Sequence, residues 1–341
     1  MAQVAERFTP AADDDDRGTL LERAGSAAAG VGSFGSGRPR LRMALQIGLM
    51  VLIFAFLAAF LITQWSKLPD FDWRFRPEWL ALAFAGVATF MIAEGELWRL
   101  ILRALGERLD APAARAVWGQ SLIARYVPTS ALMVVGRVVL AERHGVQKRV
   151  CLASIVYELG IAVSSALIVG SYFVITLPAL DDRSARWAIL VIVPIVLAAL
   201  HPRVFRPLAD FGLRKLGREP LPSALPFGRV LAFVLAYFGC WAAIGLAVFA
   251  FARGLHPVDT ADLPFVGASY AVAFCVAVLT FIVPSGLGTR DATLATALAS
   301  ALPGAVATAI AVAFRLFQTA VELLYVGAVT LLARRAERRR G

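Results

Sequence analysis

Charge is scarce in this chain. Of its 341 residues only 17% are Asp, Glu, Lys or Arg, whereas 59% are apolar and the mean hydropathy is +0.71. A soluble domain carries about 25% charged and 45–50% apolar residues, so the shortage excludes an ordinary soluble enzyme. Cysteine is nearly absent as well. Cys151, Cys240 and Cys275 each fall in an apolar stretch without disulfide or metal spacing, and they read as small buried hydrophobes. The three histidines, His144, His201 and His256, lie in three different loops, so no zinc motif exists. A Gly-rich phosphate loop ending in Lys and a nucleophile elbow are also missing, which argues against an ATP-driven pump and a hydrolase. No cofactor and no catalytic residue are expected.

What the chain has in abundance is long apolar stretches. Met43 to Ile62 contains one polar side chain, Gln46, and about 20 such residues cross the hydrocarbon of a bilayer. Further stretches lie near 78–98, 151–177, 187–200, 230–252 and 304–333, with interrupted ones near 116–140 and 265–302. The net charge of +10 sits in short loops between them, as topology signals do, so no nucleic-acid partner is expected. Residues 1–40, with Asp13 to Asp16 and a Gly/Ser/Ala run, read as a disordered cytoplasmic tail, and 336–341 as a basic cytoplasmic tail. The first apolar segment is too long for a signal peptide and reads as a retained anchor.

Lysine and arginine collect in cytoplasmic loops, which orients the threading. The tail to Arg42 and the arginines between Arg99 and Ala116 place the N-terminus and the second turn inside. Val117–Leu140 is broken by Arg125, Pro128 and Arg137. A full crossing would export the basic loops 141–150 and 201–229, whereas a dip that returns keeps both inside; the charge distribution favours the dip. Arg125 is then near the cytoplasmic interface, where its side chain can snorkel. A second dip over Phe265–Leu302 from the outer face lets the last stretch run inward, and a double crossing there would do the same. The expected fold is all-α: a polytopic transmembrane helix bundle of about six full spans plus two re-entrant helical hairpins from opposite faces, within 41–335. Gly160 with Ser164 and Gly239 with Ala243, each pair four apart, are expected to permit close helix packing.

Both broken segments combine proline, glycine and arginine: Pro128 with Gly136-Arg137, and Pro284-Ser285-Gly286-Leu287-Gly288-Thr289-Arg290-Asp291. Irregular backbone at bilayer depth is tolerated only beside protein or a watery cavity, and paired interruptions point to a transport site. Two readings of the buried arginines stay open: ion pairs that fix helix packing, or a polar cavity that holds an anionic group such as phosphate. An arginine at that depth costs about 2.5–3.5 kcal/mol to insert and needs a partner. Glu158, Asp291, Glu322, Glu94 and Glu96 are the candidates, and Arg315 lies in the last span.

These residues resemble the lysylphosphatidylglycerol synthase transmembrane (flippase-like) family. The run from Pro284 to Asp291 is similar to that family's Pro-Gly-Gly-Leu-Gly-x-Arg-Glu signature, with Ser285 and Asp291 as departures. Trp98-Arg99 before Leu105-Gly106, Tyr126-Val127-Pro128 with Gly136-Arg137, Tyr157-Glu158, and Arg315 leading to Gly327 follow in order, over roughly 45–335. Leu159 stands where an arginine often follows the glutamate. The resemblance implies movement of a lipid head group between leaflets of the inner (plasma) membrane. Its partners would be membrane lipids and an anionic lipid or polyprenyl-phosphate-linked substrate. Arg137 and Arg290 would contact the head group, Pro128, Gly136, Pro284, Ser285, Gly286 and Gly288 would shape the tips, and Glu158, Asp291, Arg315 and Glu322 would line or brace the cavity. The chain ends eight residues after Ala333, so lysylphosphatidylglycerol synthesis itself is not expected. The alternatives are a secondary transporter for a small soluble anion and an in-membrane transferase, for which only Glu94 and Glu96 come close to a clustered acidic pair.

Overall fold

The computed structural model describes residues 74–123, 131–176, 201–215, 225–279 and 288–338, with isolated positions between 191 and 220. These belong to one compact unit, Leu57–Gly341, and Met1–Phe56 lies outside the described residues. So do the 1–40 tail, the Met43–Gln64 segment, Arg125, and most of 187–200.

The described residues form nine α-helices and one 3₁₀ turn, with no strand among them. They are α1 (Pro77–Ala104), α2 (Ala111–Ile123), α3 (Ala131–Glu142), α4 (Lys148–Thr176), α5 (Pro202–Lys215), α6 (Phe227–Leu255), α7 (Leu263–Leu279), α8 (Thr289–Leu298) and α9 (Gly304–Arg338). The 3₁₀ turn Thr260–Asp262 leads into α7. Five helical stretches are long and apolar enough to cross a membrane: Pro77–Ala104, Lys148–Thr176, Phe227–Leu255, Thr260–Val278 and Gly304–Ala336. This is a polytopic membrane bundle. Four of the five coincide with expected spans. The fifth is the first limb of the second broken segment, for which the charge pattern allows either a dip or a double crossing; at 17 residues, α7 alone is about 26 Å long.

Short polar contacts fix the ends of the bundle. At the first end, the N–H groups of Arg74 and Arg76 donate to the carbonyls of Leu255 and Gly254, joining the start of α1 to the finish of α6. The Arg253 guanidinium lies over the Trp79 ring there and donates to the Val258 carbonyl. At the second end, where α1 finishes, the Gln147 N–H donates to Glu107 Oε1 at 3.1 Å. Glu107 precedes α2 and Gln147 follows α3, so the α2–α3 pair leaves and returns to the same end. With 13 and 12 residues, its limbs are about 20 and 18 Å long, too short to cross a hydrocarbon core of about 30 Å. The first broken segment is a hairpin, as its charge pattern predicted.

The second hairpin comes from the first end. Phe173, late in α4, stacks on Phe265 at the start of α7, and Ala297, late in α8, joins Phe173 and Ala268 in one small cluster. The ten-residue α8 therefore runs back beside α7 to the end where α7 began. The hairpins thus enter from opposite ends. Between them α1 and α6 pack most closely: a Cβ on Gly86 would lie 2.8 Å from the Ala243 carbonyl oxygen. Gly245 and Gly267 bring α6 and α7 nearly as close, at 3.0 Å. Close packing uses these positions rather than Gly239, around which a Cβ would meet nothing within 4 Å.

Candidate functional site

Each hairpin carries an arginine into the bundle. On α3, Arg137 is 3% exposed, although its neighbours Val135 and Val139 point outward and are largely exposed. The α3 helix thus shows hydrocarbon side chains to the surroundings and turns one charge inward. There Arg137 forms an ion pair with Glu158 of α4. Its Nε donates to Ser121 Oγ of α2 at 3.0 Å, which ties the two limbs of the hairpin together. The guanidinium lies 5.4 Å from the Trp98 ring and 5.7 Å from the Trp118 ring, on α1 and α2. Both indoles are themselves anchored: Trp118 Nε1 donates to Glu158 Oε1 at 2.8 Å, and Trp98 Nε1 donates to Ser154 Oγ at 3.0 Å. Carboxylate, hydroxyl and two π faces together offset the cost of a desolvated guanidinium. Gly136, beside Arg137, is half-buried.

The second arginine sits at the start of α8. Gly288, the residue before that helix, has φ +91°, a left-handed conformation that glycine adopts without strain. It turns the chain into α8 without a side-chain cap, and Arg290 follows two residues later. Arg290 Nη1 donates to Tyr270 Oη of α7 at 3.1 Å, and Nη2 donates to Gln318 Oε1 of α9 at 3.2 Å. Its guanidinium lies 5.4 Å from the Tyr270 ring. Gln318 Nε2 donates back to Tyr270 Oη at 2.9 Å, which fixes the two neutral partners to each other. The nearest carboxylate, Asp291 Oδ1, is 3.7 Å from Arg290 Nε, beyond a hydrogen bond.

The long helix α9 joins the two clusters. Arg315, Gln318, Thr319 and Glu322 are all buried, and their spacing of i, i+3, i+4 and i+7 puts them on one face. A polar stripe inside an apolar 35-residue helix is costly and marks the face turned to the bundle interior. Gln318 meets the second hairpin. Tyr325, two turns and about 10 Å further on, packs edge-on against Trp118 of the first at 6.2 Å. Gly95 and Gly119 leave room for it, since a Cβ on Gly95 would stand 3.0 Å from Tyr325 Oη. Arg137 and Glu158 thus meet at the first hairpin, Arg290 and Asp291 lie together on α8, and Arg315 and Glu322 are buried on α9, which touches both hairpins. Gly288 stands at the second tip.

Pro128, Pro284, Ser285 and Gly286 lie outside the described residues. Glu96 belongs elsewhere: it accepts from Arg99 and Arg115 near the second end. The sequence reading missed Trp98 and Trp118 as the flanks of Arg137, and Tyr270 and Gln318 as the holders of Arg290. A usable signal existed only for Gln318, a polar residue three positions after Arg315 in an apolar span. Among the described residues, no group of three or more His, Cys, Asp or Glu is placed to hold a metal ion.

Two comparisons with known proteins bear on this geometry. The model of the lysylphosphatidylglycerol synthase TM region matches residues 43–325, most of the chain and both hairpins. Among curated proteins none matches it.

Proposed function

The chain belongs to the lysylphosphatidylglycerol synthase TM region family, and from that premise and the two hairpin arginines we propose that it moves an anionic lipid head group between leaflets. The substrate is an anionic phospholipid or a polyprenyl-phosphate-linked lipid. The observation that supports this most strongly is Arg290: a partly buried guanidinium at a helix start without a side-chain cap, held by neutral oxygens and with its nearest carboxylate at 3.7 Å. Neutral donors and acceptors position the cation without cancelling its charge, so a phosphate can replace them as its partner. Arg137, already paired with Glu158, is a second station on the same path, and the stripe from Arg315 to Glu322 carries polar groups between the two.

In this reading the chain makes and breaks no covalent bond. Among the described residues, one bundle end carries Arg103, Arg108, Arg143, Lys148, Arg149, Arg229, Arg334 and Arg335 and the other Arg74, Arg76 and Arg253, so the first end is the cytoplasmic one. The membrane is then the inner (plasma) membrane, and both termini face the cytoplasm.

Reconstitution into vesicles tests this. Loss of inner-leaflet protection of a fluorescent anionic lipid, measured by a membrane-impermeant quencher, is expected with the wild-type chain and not with Arg290→Ala. Unchanged translocation by Arg290→Ala would remove the site assignment. Uptake of free phosphate without lipid movement would instead make the chain a solute transporter.

A further inference from the structure

Helix α5 plays no part in that path, and its two faces differ sharply. Read at 3.6 residues per turn, Val204 and Phe211 share one side, and Arg203, Arg206, Asp210 and Arg214 share the other. Phe205, at the edge of the apolar side, packs on Tyr157 of α4 with ring centroids 4.8 Å apart. Val204 and Phe211 remain 49% and 53% exposed. Arg203, Arg206 and Arg214 are exposed too, and the one acid among them, Asp210, stands 3.8 Å from Arg206.

The location of α5 in the bundle is equally definite. His201, just before it, lies 5.0 Å from the ring of Phe227, the first residue of α6. Tyr157 Oη accepts the Leu225 N–H at 3.1 Å on the chain leading from α5 into α6. Helix α5 therefore sits at the bundle end from which the first hairpin enters, one residue along α4 from Glu158.

We propose that α5 lies along the membrane surface and docks on an anionic phospholipid leaflet. Val204 and Phe211 enter the boundary of the acyl chains, while Arg203, Arg206 and Arg214 meet the head groups. Three arguments support this occupant. A 14-residue helix is about 21 Å long and carries too much charge to cross, so lying flat is the orientation that suits both faces. Its exposed apolar side chains adjoin membrane-spanning helices, where the surrounding medium is lipid. Its charge balance of three exposed arginines to one aspartate complements negative head groups, each cation enriching anionic lipid about fivefold near the surface. The inference rests on α5 alone and stands whether or not the translocation reading does.

The test uses the full chain in lipid nanodiscs of phosphatidylcholine, with and without phosphatidylglycerol. The three native cysteines are buried, so Phe211→Cys and, separately, Arg214→Cys accept a fluorophore selectively. Brominated lipid is expected to quench the label at 211 and iodide to leave it bright, with the reverse at 214. Added phosphatidylglycerol should strengthen quenching at 211, and Arg203→Gln with Arg206→Gln should lower that increment severalfold. Val204→Cys repeats the readout should Phe211→Cys not fold. Iodide access at 211 equal to that at 214 would put the helix in water. Shielding from both quenchers would mean that a protein covers it, and quenching indifferent to phosphatidylglycerol would remove the anionic partner. Each of these outcomes overturns the proposal.

Discussion

The two hairpins solve the same problem in different ways. Each brings one arginine into an apolar bundle, yet Arg137 is neutralised by Glu158 and flanked by two indoles, whereas Arg290 is held by a phenol and an amide. The first arrangement spends its charge internally. It knits α1, α2, α3 and α4 together and explains why a hairpin with limbs of 13 and 12 residues holds its place. The second holds its cation with two neutral partners and a looser ion pair to Asp291 at 3.7 Å. The proposed anion site would use both features, a scaffold that tolerates buried charge and a less tightly paired cation, divided between the two halves.

Breaking the first half has the largest expected effect. Glu158→Ala strands Arg137 among Trp98, Trp118 and Ser121, and loss of one partner from a buried pair costs about 3–5 kcal/mol. Thermal unfolding in detergent should show a large drop, partly restored when Arg137→Leu is added. An unchanged melting temperature would mean that Glu158 is not the counter-charge of Arg137. Next comes the support of the second half. A Cβ on Gly245 would stand 3.0 Å from backbone atoms of Gly267, so Gly245→Val pushes α7 from α6 and costs about 1–3 kcal/mol. Cross-linking of cysteines placed at 244 and 266 should fall in that variant.

The difference between the halves was only partly visible in the sequence. Hydropathy marked four of the five spanning helices, because one apolar stretch of about 20 residues reads the same in any context. The charges around 141–150 and 201–229 marked the first hairpin, since positive loops collect on one side. Whether Phe265–Leu302 dips or crosses twice was hidden because either route keeps the C-terminus inside, whereas α7 forms a helix of 17 residues. Arg137, Glu158 and Arg290 stood out as charges in apolar runs. Their partners did not: Trp98, Trp118 and Tyr270 are ordinary aromatic residues of apolar helices until long-range packing places them around a cation.

The comparison sharpens at Arg290→Ala. Removing this side chain deletes two hydrogen bonds but also a buried charge, so the stability cost should stay below about 2 kcal/mol while translocation is lost. Gln318→Leu provides the partner measurement. If Arg290 is positioned by Gln318 and not cancelled by it, translocation should fall in Gln318→Leu while the melting temperature moves little. A collapse of stability in Arg290→Ala comparable to that in Glu158→Ala would erase the distinction between the two hairpins.

The smallest effect lies where the second hairpin begins. Asp259 Oδ1 accepts the Ala261 N–H at 3.0 Å and caps the 3₁₀ turn that starts the limb. That backbone hydrogen bond, helped by the Thr260 hydroxyl, holds the carboxyl below its ordinary range despite full exposure. A carboxyl lowered in the folded state contributes above its unfolded value and loses the contribution as pH falls through the lowered one, which sets the window below about pH 4. The protection factor of the Ala261 amide should therefore fall on acidification through that window, while protection factors within α1 and α6 stay constant. In Asp259→Asn the amide oxygen still caps but no longer titrates, so the acid-induced change at Ala261 should vanish. Persistence of the change in that variant would assign it to another group near the start of the hairpin.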